Sequence, residues 1–376
     1  MAGTRSRQKH LLLGSLVLVS SLIACTLIGE ALTRIFLKRH VDTELLRANL
    51  DQTNIKVLIQ PNEDPDLMYE LRPGMDIMFQ GSRVVTDISG VRVGSKLSDS
   101  PDNAIRIALI GDSTAFGWRV NYEDTFGERL RQALQRSTAV QVDLRNFSVP
   151  GYNASQEYRT FVVKVMPYRP HLLIVHHDHN DSQRTGAGYP PNYFSPEYGD
   201  NALHSSLLKF ALRQTRTLRN RWGKRSESDS HEYVDGYYVS GPLYEAHLES
   251  RSALARDAKS FGIPTVVVIF NAGVEADDDY ENSDRYLRLH KQLAQRLEGM
   301  GLYVLDLYPH YQNMLKELGW RDLSRLWIDS DDRHPNPEGH EFISGVLLQF
   351  LRDQPELYSV FTNQVGEAGE ATHRQK

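Results

Sequence analysis

The chain of 376 residues is long enough for one large globular domain or two modest ones. Hydrophobic residues make up 40% and charged residues 24% of it, which is ordinary for a globular protein. The net charge of −5 argues against a general affinity for nucleic acid, and the single cysteine, Cys25, excludes an internal disulfide.

An uncharged apolar run, residues 11–29, lies near the N-terminus with basic residues on both sides. At about 1.5 Å per residue, a helix of this length spans about 28 Å, close to the thickness of the hydrocarbon core of a bilayer. We therefore expect a transmembrane helix that anchors the chain by a single pass, with the remainder on the periplasmic or extracytoplasmic side. The alternative is a lipoprotein signal, because Leu22 to Cys25 resembles a lipobox.

Composition and periodicity divide the chain into four parts. Residues 1–40 form the anchor or signal segment, and residues 41–104 form a strand-rich lead-in. Residues 105–361 form the main domain, and residues 362–376 lack apolar periodicity and are predicted to be a disordered tail. An insertion at 185–239 is rich in basic residues; it is either a solvated helix face with a loop, or a lid or a surface for anionic lipids.

Short apolar strands alternate with amphipathic helices throughout the main domain. This alternation predicts an α/β fold with a five-stranded parallel sheet that is covered by helices on both faces. Functional residues are expected at the carboxyl ends of such strands. The five predicted strands are 105–110, 140–147, 171–176, 264–270 and 302–307.

Two polar segments at predicted strand ends suggest a nucleophile with its base. Ser113 directly follows the first strand, where a strand-to-helix turn can expose its hydroxyl. His334 lies just before the last predicted helix and can accept the serine proton if a carboxylate orients its ring. Asp331 stands three residues before His334 and is the preferred partner, while Asp332 is a competing one.

Two further segments suggest hydrogen-bond donors for a developing negative charge. Gly151 follows the second strand, where the absence of a side chain lets its N–H approach a ligand closely. Asn180 follows the third strand and carries a side-chain amide that can donate to an oxyanion.

In this order, the segments at Ser113, Gly151, Asn180 and His334 resemble the four motif blocks of the SGNH hydrolases, a branch of the GDSL esterase/lipase superfamily. The similarity covers roughly residues 105–350 and implies a flavodoxin-like three-layer α/β/α sandwich. It also implies Ser113 as nucleophile, His334 as general base and Asp331 as its partner. The implied oxyanion hole consists of the Ser113 N–H, the Gly151 N–H and the Asn180 side chain. The anchor and lead-in resemble those of membrane-anchored bacterial members.

The third block departs from the family pattern, because Asp178 stands where glycine is usual. A carboxylate near an oxyanion hole opposes the charge to be stabilised, unless it is paired or points away. The neighbouring His176, His177 and His179 could indicate a metal site, but no further ligands are apparent, so we predict neither a metal nor another cofactor.

These residues predict hydrolysis of a carboxylic ester through an acyl-enzyme. The expected substrate is an O-acyl group on an envelope polysaccharide or a lipid, because the anchor places the domain at a membrane surface. One alternative is an O-acyltransferase that uses the same triad with a sugar hydroxyl as acceptor. Another is a non-catalytic binding module within an envelope assembly.

Overall fold

The computed structural model describes residues 20–21, 24–29, 31–32, 54–94, 103–187, 189, 241–270, 283–320, 322–329 and 332–362. The chain divides into two compact units, of which one comprises residues 1–50 and 195–226 and lies mostly outside the described residues. The other comprises residues 51–194 and 227–376 and contains all the strands and helices considered below.

The described part of this second unit contains ten strands. In chain order they are β1 (Ile59–Pro61), β2 (Tyr69–Leu71), β3 (Asp76–Phe79), β4 (Ser82–Thr86), β5 (Arg92–Val93), β6 (Ile105–Ile110), β7 (Val142–Asn146), β8 (Leu172–His177), β9 (Thr265–Ile269) and β10 (Tyr303–Asp306).

The helices alternate with the strands from β6 onward, as the apolar pattern predicts. They are α1 (Ser113–Phe116), α2 (Phe126–Gln135), α3 (Ala154–Thr160), α4 (Met166–Tyr168), α5 (Pro242–Ser260), α6 (Ser283–Gly299), α7 (Tyr308–Leu318), α8 (Pro337–Asp353) and α9 (Pro355–Thr362). A π-helical turn, Phe161–Val165, joins α3 to α4.

The main sheet has eight strands in the order β10-β9-β8-β6-β7-β5-β4-β3. The five strands from β10 to β7 are parallel, whereas β5, β4 and β3 are antiparallel. The sequence predicted a five-stranded parallel sheet, and the sheet is instead mixed. The difference arises because the short strands of the lead-in continue the same sheet beyond β7, through the pair Arg92 and Asn146.

Helices cover both faces of the parallel strands, which gives three layers. One apolar core lies between the sheet and α2, α7, α8 and α9, and the other lies between the sheet and α3 to α6. Side chains of β6 alternate between these cores, with Ile107 and Leu109 in the first and Ala108 and Ile110 in the second. The predicted α/β class is therefore confirmed.

The lead-in has a third apolar core of its own. The ribbon β1-β2 and strands β3 and β4 contribute apolar side chains to it, including Tyr69 and Phe79. This core also contains Phe116, Val149 and Tyr152, which belong to the segments that follow β6 and β7. The lead-in thus packs against the segments that contain Ser113 and Gly151, two residues predicted to take part in catalysis.

The predicted membrane segment lies largely outside the described residues, which include parts of its second half. Among the residues that the structure describes, no helix combines the length and the apolar character needed to cross a bilayer. Cys25 is exposed and unpaired. Of the predicted insertion at 185–239 only residues 185–187 and 189 are described, and of the predicted tail at 362–376 only residue 362, so both predictions lie almost entirely outside the described residues.

Candidate active site

Ser113 is the first residue of α1, at a sharp turn that follows β6. The Asp112 side chain caps this helix by accepting a hydrogen bond from the Thr114 N–H at 2.9 Å. A Cβ at Gly111 would lie 2.7 Å from the Cβ atoms of both Ala115 and His176, so only glycine fits there. The turn leaves Ser113 partly exposed while Gly111 and Asp112 are buried.

Arg92 of β5 holds the other end of α1. Its guanidinium is fully buried and donates to three backbone carbonyls at the end of this helix: Phe116, Gly117 at 2.7 Å and Val120 at 2.6 Å. The Phe116 carbonyl belongs to the last residue of the helix, and the carbonyls of Gly117 and Val120 lie just beyond it, so the arginine binds the chain where the helix ends. A lead-in residue therefore stabilises the helix that presents Ser113.

His334 lies in contact with Ser113. The His334 Nε2 atom is 2.8 Å from Ser113 Oγ, and its Nδ1 atom is 2.5 Å from Asp332 Oδ1. With the carboxylate accepting from Nδ1–H, Nε2 is left to accept the serine proton. Burial by itself would raise the pKa of Asp332, but the hydrogen bond and charge of His334, together with the Arg119 guanidinium, hold it well below its usual value.

The carboxylate beside His334 belongs to Asp332, the partner that the sequence left as the competing one. Asp331, the preferred partner, lies outside the described residues. Two hydrogen bonds hold Asp332 in this place: the Asp332 N–H donates to Asp329 Oδ1 at 2.7 Å, and the His334 N–H donates to Asp332 Oδ1 at 3.2 Å. The same carboxylate oxygen thus meets both the backbone and the ring of His334.

Arg119 joins the segment that begins with Ser113 to the loop before α8 that carries His334, called the histidine loop below. Its Nη1 atom lies 3.1 Å from Asp329 Oδ2 and 3.1 Å from Asp332 Oδ2, and its backbone has a φ of +56°. One carboxylate oxygen of Asp332 therefore faces His334 and the other faces Arg119. Sequence reasoning missed this residue, because no motif links an arginine after the nucleophile to aspartates more than 200 residues later.

The histidine loop ends at a well-capped helix, as the sequence predicts. Asn336 is the N-cap of α8 and accepts from the Gly339 N–H at 3.0 Å, with Pro337 in the first helical position. The Asn336 amide also donates to the carbonyls of Arg325 and Trp327, at 2.8 and 3.0 Å. These bonds fix the loop from both sides.

The two predicted oxyanion donors lie on either side of Ser113. Strand β6 is flanked by β7 and β8 in the sheet, and Gly151 follows β7 while Asn180 follows β8. The carboxyl ends of these three parallel strands therefore meet at one edge. The Val149 N–H donates to the Gly111 carbonyl at 3.1 Å. This hydrogen bond joins the segment around Gly151, called the Gly151 turn, to the turn that carries Ser113.

Asn180 lies in a 3-10 turn, His179–Ser182, that is capped reciprocally. The Asp178 side chain accepts from the His179 N–H at 2.5 Å, and the Asp181 side chain accepts from the Asp178 N–H at 3.1 Å. The turn therefore has a defined backbone, and Asn180 is partly exposed at its surface.

Asp178, which departs from the family pattern, is paired. Its Oδ1 atom lies 2.7 Å from His179 Nδ1 as well as accepting from the His179 backbone. Burial alone would lower the pKa of His179, but the Asp178 charge and hydrogen bond raise it to about 9. At neutral pH an imidazolium therefore balances this carboxylate, so Asp178 does not oppose an oxyanion as an isolated charge would.

A buried ionic cluster lies behind the Asn180 turn. Asp181 Oδ2 is 2.6 Å from His177 Nδ1 and 2.8 Å from Arg251 Nη2, and Arg251 Nη1 is 2.7 Å from Glu157 Oε2. Burial and the Asp181 charge raise the pKa of Glu157 well above its usual value. Arg251 thereby connects α3, which follows the Gly151 turn, with the Asn180 turn.

Within the described part of the chain, two groups of side chains could offer three atoms to a metal ion, with those atoms within 4.8 Å of one another: His177, Asp181 and His247, and Asp112, His176 and Asp178. In the first group the Arg251 guanidinium beside Asp181 opposes a divalent cation by charge repulsion. In the second, Asp112 caps α1 and Asp178 pairs with His179. In both groups, the carboxylates that could bind a metal ion already interact with other groups of the protein.

Comparison with known proteins points to one family. The model of the GDSL-like Lipase/Acylhydrolase family matches residues 109–342, which is more than half of the chain. No curated protein matches the sequence.

Several solved structures are similar at low identity. The lipase Lip_vut3 from a goat rumen metagenome is 13% identical, with a TM-score of 0.43 over 66% of this chain and 97% of that one. A lipase/acylhydrolase from Enterococcus faecalis is 12% identical, with a TM-score of 0.39 over 66% and 95% of the two chains. A catalytic mutant of the acetylxylan esterase Axe2 from Geobacillus stearothermophilus is 16% identical, with a TM-score of 0.39 over 68% and 96%.

The extent of the family match decides the classification. It begins within β6 and ends within α8, so it contains Ser113, Gly151, Asn180 and His334. The chain therefore belongs to the GDSL-like lipase/acylhydrolase family and is a hydrolase that acts on ester bonds.

Proposed function

We propose that the chain is a serine esterase that works through an acyl-enzyme on Ser113. The Ser113 hydroxyl attacks the ester carbonyl while His334 Nε2 takes its proton and returns it to the leaving alcohol. Asp332, in the role that the sequence assigned to Asp331, holds the His334 ring and stabilises its protonated form. Water then attacks the acyl-enzyme with His334 as general base.

The negative charge on the carbonyl oxygen would be stabilised by three donors. They are the N–H of Ser113 at the start of α1, the N–H of Gly151 and the side-chain amide of Asn180. Support for this assignment comes from the sheet order, which sets Gly151 and Asn180 on opposite sides of the nucleophile.

One observation carries the proposal: a continuous chain of contacts runs from Ser113 Oγ to His334 Nε2 at 2.8 Å and from His334 Nδ1 to Asp332 Oδ1 at 2.5 Å. The first of these contacts is not local, since Ser113 and His334 are 221 residues apart in sequence. If Ser113 served only to begin a helix, its hydroxyl would need no contact with a distant histidine.

The test is ester hydrolysis by the full chain, purified in detergent, with p-nitrophenyl acetate and a series of longer acyl esters. We expect turnover by the wild type and losses in kcat of about 10³-fold or more in Ser113→Ala and His334→Ala. Thr362→Ala, a change at an exposed helix end, serves as the control that should retain activity. An inactive wild type, or an active Ser113→Ala variant, would refute the mechanism.

For the natural substrate, we propose an O-acyl group on an envelope polysaccharide or a lipid. The proposal depends on the apolar run at residues 11–29, which favours a membrane location with the enzymatic unit on the extracytoplasmic side. Fractionation of cells that express the full chain, followed by protease treatment of intact spheroplasts, tests it. Recovery in the soluble cytoplasmic fraction would remove the basis for these substrates.

A further inference from the structure

A tight turn, Val149–Tyr152, carries the Gly151 N–H. The Tyr152 N–H donates to the Val149 carbonyl at 3.1 Å, which closes a four-residue turn with Pro150 and Gly151 at its centre. Gly151 has a φ of +79°, and the proline ring fixes its own φ near about −65°. These values are those of a type II turn.

The direction of the Gly151 N–H depends on which turn type is adopted. Type I and type II turns differ mainly by a rotation of about 180° of the peptide between the two central residues. Proline in the second position suits both types, and glycine in the third position tolerates both. The Pro150–Gly151 sequence therefore leaves two orientations open, and only one of them can direct the N–H to the oxyanion.

The Tyr69 hydroxyl contacts this same peptide. Tyr69 lies in β2, and its Oη atom donates a buried hydrogen bond to the Pro150 carbonyl at 3.1 Å. The C=O and N–H of one trans peptide point in opposite directions, so a bond that holds the carbonyl toward Tyr69 directs the Gly151 N–H away from it. A flip to type I would break this bond and leave a buried hydroxyl without that acceptor.

Tyr69 is itself rigidly held. Its side chain is fully buried and makes edge contacts with the rings of Tyr152 and Tyr189, at centroid distances of 5.2 and 5.3 Å. The Tyr152 hydroxyl donates to the Tyr69 carbonyl, and the Gln156 amide donates to the Leu67 carbonyl at 2.8 Å. Burial raises the pKa of Tyr69 well above its usual value, so the hydroxyl keeps the proton that it donates.

We propose that Tyr69 is a positioning residue that keeps the Pro150–Gly151 peptide in the orientation in which the Gly151 N–H can bind the oxyanion. Tyr69 precedes the part of the chain that matches the family, residues 109–342, so the lead-in supplies a component of this site that the matched region lacks. The inference rests on the proposed function, because it assumes that Gly151 is an oxyanion donor.

The test compares two tyrosines whose hydroxyls each donate to a backbone carbonyl. Tyr69→Phe removes the hydroxyl that contacts the Pro150 carbonyl, and Tyr168→Phe removes a hydroxyl that donates to the Asp143 carbonyl at 2.9 Å, near the amino end of β7 and away from the candidate site. Each variant loses one hydrogen bond of the same kind, so we expect a decrease in the unfolding temperature of both. For Tyr69→Phe alone, kcat and kcat/KM for p-nitrophenyl acetate should each fall about tenfold, with KM within about twofold of the wild type.

Two outcomes would overturn the proposal. One is a Tyr69→Phe variant whose kcat stays within about twofold of the wild type; the other is an equal loss of kcat in Tyr69→Phe and Tyr168→Phe, which would indicate a general loss of structural order. Ser113→Ala is assayed alongside them. Its retention of activity would refute the proposed function itself, whereas an inactive Ser113→Ala with an unaffected Tyr69→Phe would refute only the role of Tyr69.

Discussion

At the scale of single residues, the carboxylate that contacts His334 belongs to Asp332. Spacing and family resemblance favoured Asp331, which lies outside the described residues, so that preference stays a prediction. One oxygen of Asp332 meets both the N–H and the ring of His334, and the Asp332 N–H donates to Asp329 Oδ1. Spacing in sequence does not distinguish two adjacent aspartates, because it does not specify the local backbone conformation.

We predict that Asp332→Asn lowers kcat/KM by about 10³-fold or more, because the amide favours the wrong tautomer of His334 and cannot stabilise its protonated form. Asp331→Asn is the matched control, with the same change of charge one residue earlier, and should retain kcat/KM within about threefold. Steady-state kinetics on one ester measures both. The reverse ranking would return the role to Asp331.

The pair of Asp178 and His179 makes a prediction about pH. The pKa of His179 is raised to about 9, so the pair stabilises the fold fully below the unfolded pKa of about 6.5 and loses this effect as pH rises through 9. More than a third of the His179 side chain is exposed, so solvent screening limits the effect to about 1 kcal/mol. The free energy of unfolding of wild type should therefore exceed that of His179→Gln at pH 6.5, and the difference should disappear near pH 10.

Denaturant titrations at the two pH values measure this difference. Comparing the variants at each pH cancels the ionisation of groups that both proteins share. A difference that stays constant, or grows as the pH rises, would show that the imidazolium does not pair with Asp178 as described.

At the scale of elements, the five parallel strands were predicted to within about two residues. Buried parallel strands are continuous apolar runs, and those runs were bounded by turn residues and helices with a different period. The strands of the lead-in were harder to place. Strand β5 has only two residues, and β3 alternates with exposed positions, so neither carries a strong apolar signal.

The cluster around Arg251 could not be predicted from the sequence either, although it connects four elements. Its members come from α3, β8, the Asn180 turn and α5, and they meet only through the tertiary fold. A buried arginine in a long helix has no distinguishing pattern in sequence, since the same helix also carries Arg256, which is exposed.

We predict that Arg251→Met destabilises the protein by about 3 kcal/mol or more, because it leaves the buried Asp181 charge without its cation. Arg256→Met is the matched control on the same helix. Arg256 is exposed and pairs with its neighbour Asp257, so its loss should change the stability far less than the loss of Arg251. Thermal and urea unfolding of both variants provide the measurement, and equal stabilities would contradict the assigned ion pairs.

At the scale of the whole molecule, the lead-in and the family-matching region form one structural unit. The lead-in continues the main sheet through β5, binds the end of α1 through Arg92 and contacts the turn that carries Gly151 through Tyr69. The sequence separated these parts because the alternation of strands and helices begins only at β6. Long-range contacts between a short irregular segment and a loop after a strand produce no periodic pattern in the sequence, so only the structure could reveal them.

The central claim is that Ser113, activated by His334, is the nucleophile, and labelling with a fluorophosphonate tests it most directly. The full chain would be treated with the probe, digested and mapped by mass spectrometry, with His334→Ala alongside. We predict one adduct, on the peptide that contains Ser113, and a rate of labelling reduced by about 10³-fold in the variant. An adduct on a different serine, no adduct at all, or equal labelling of His334→Ala would contradict the claim.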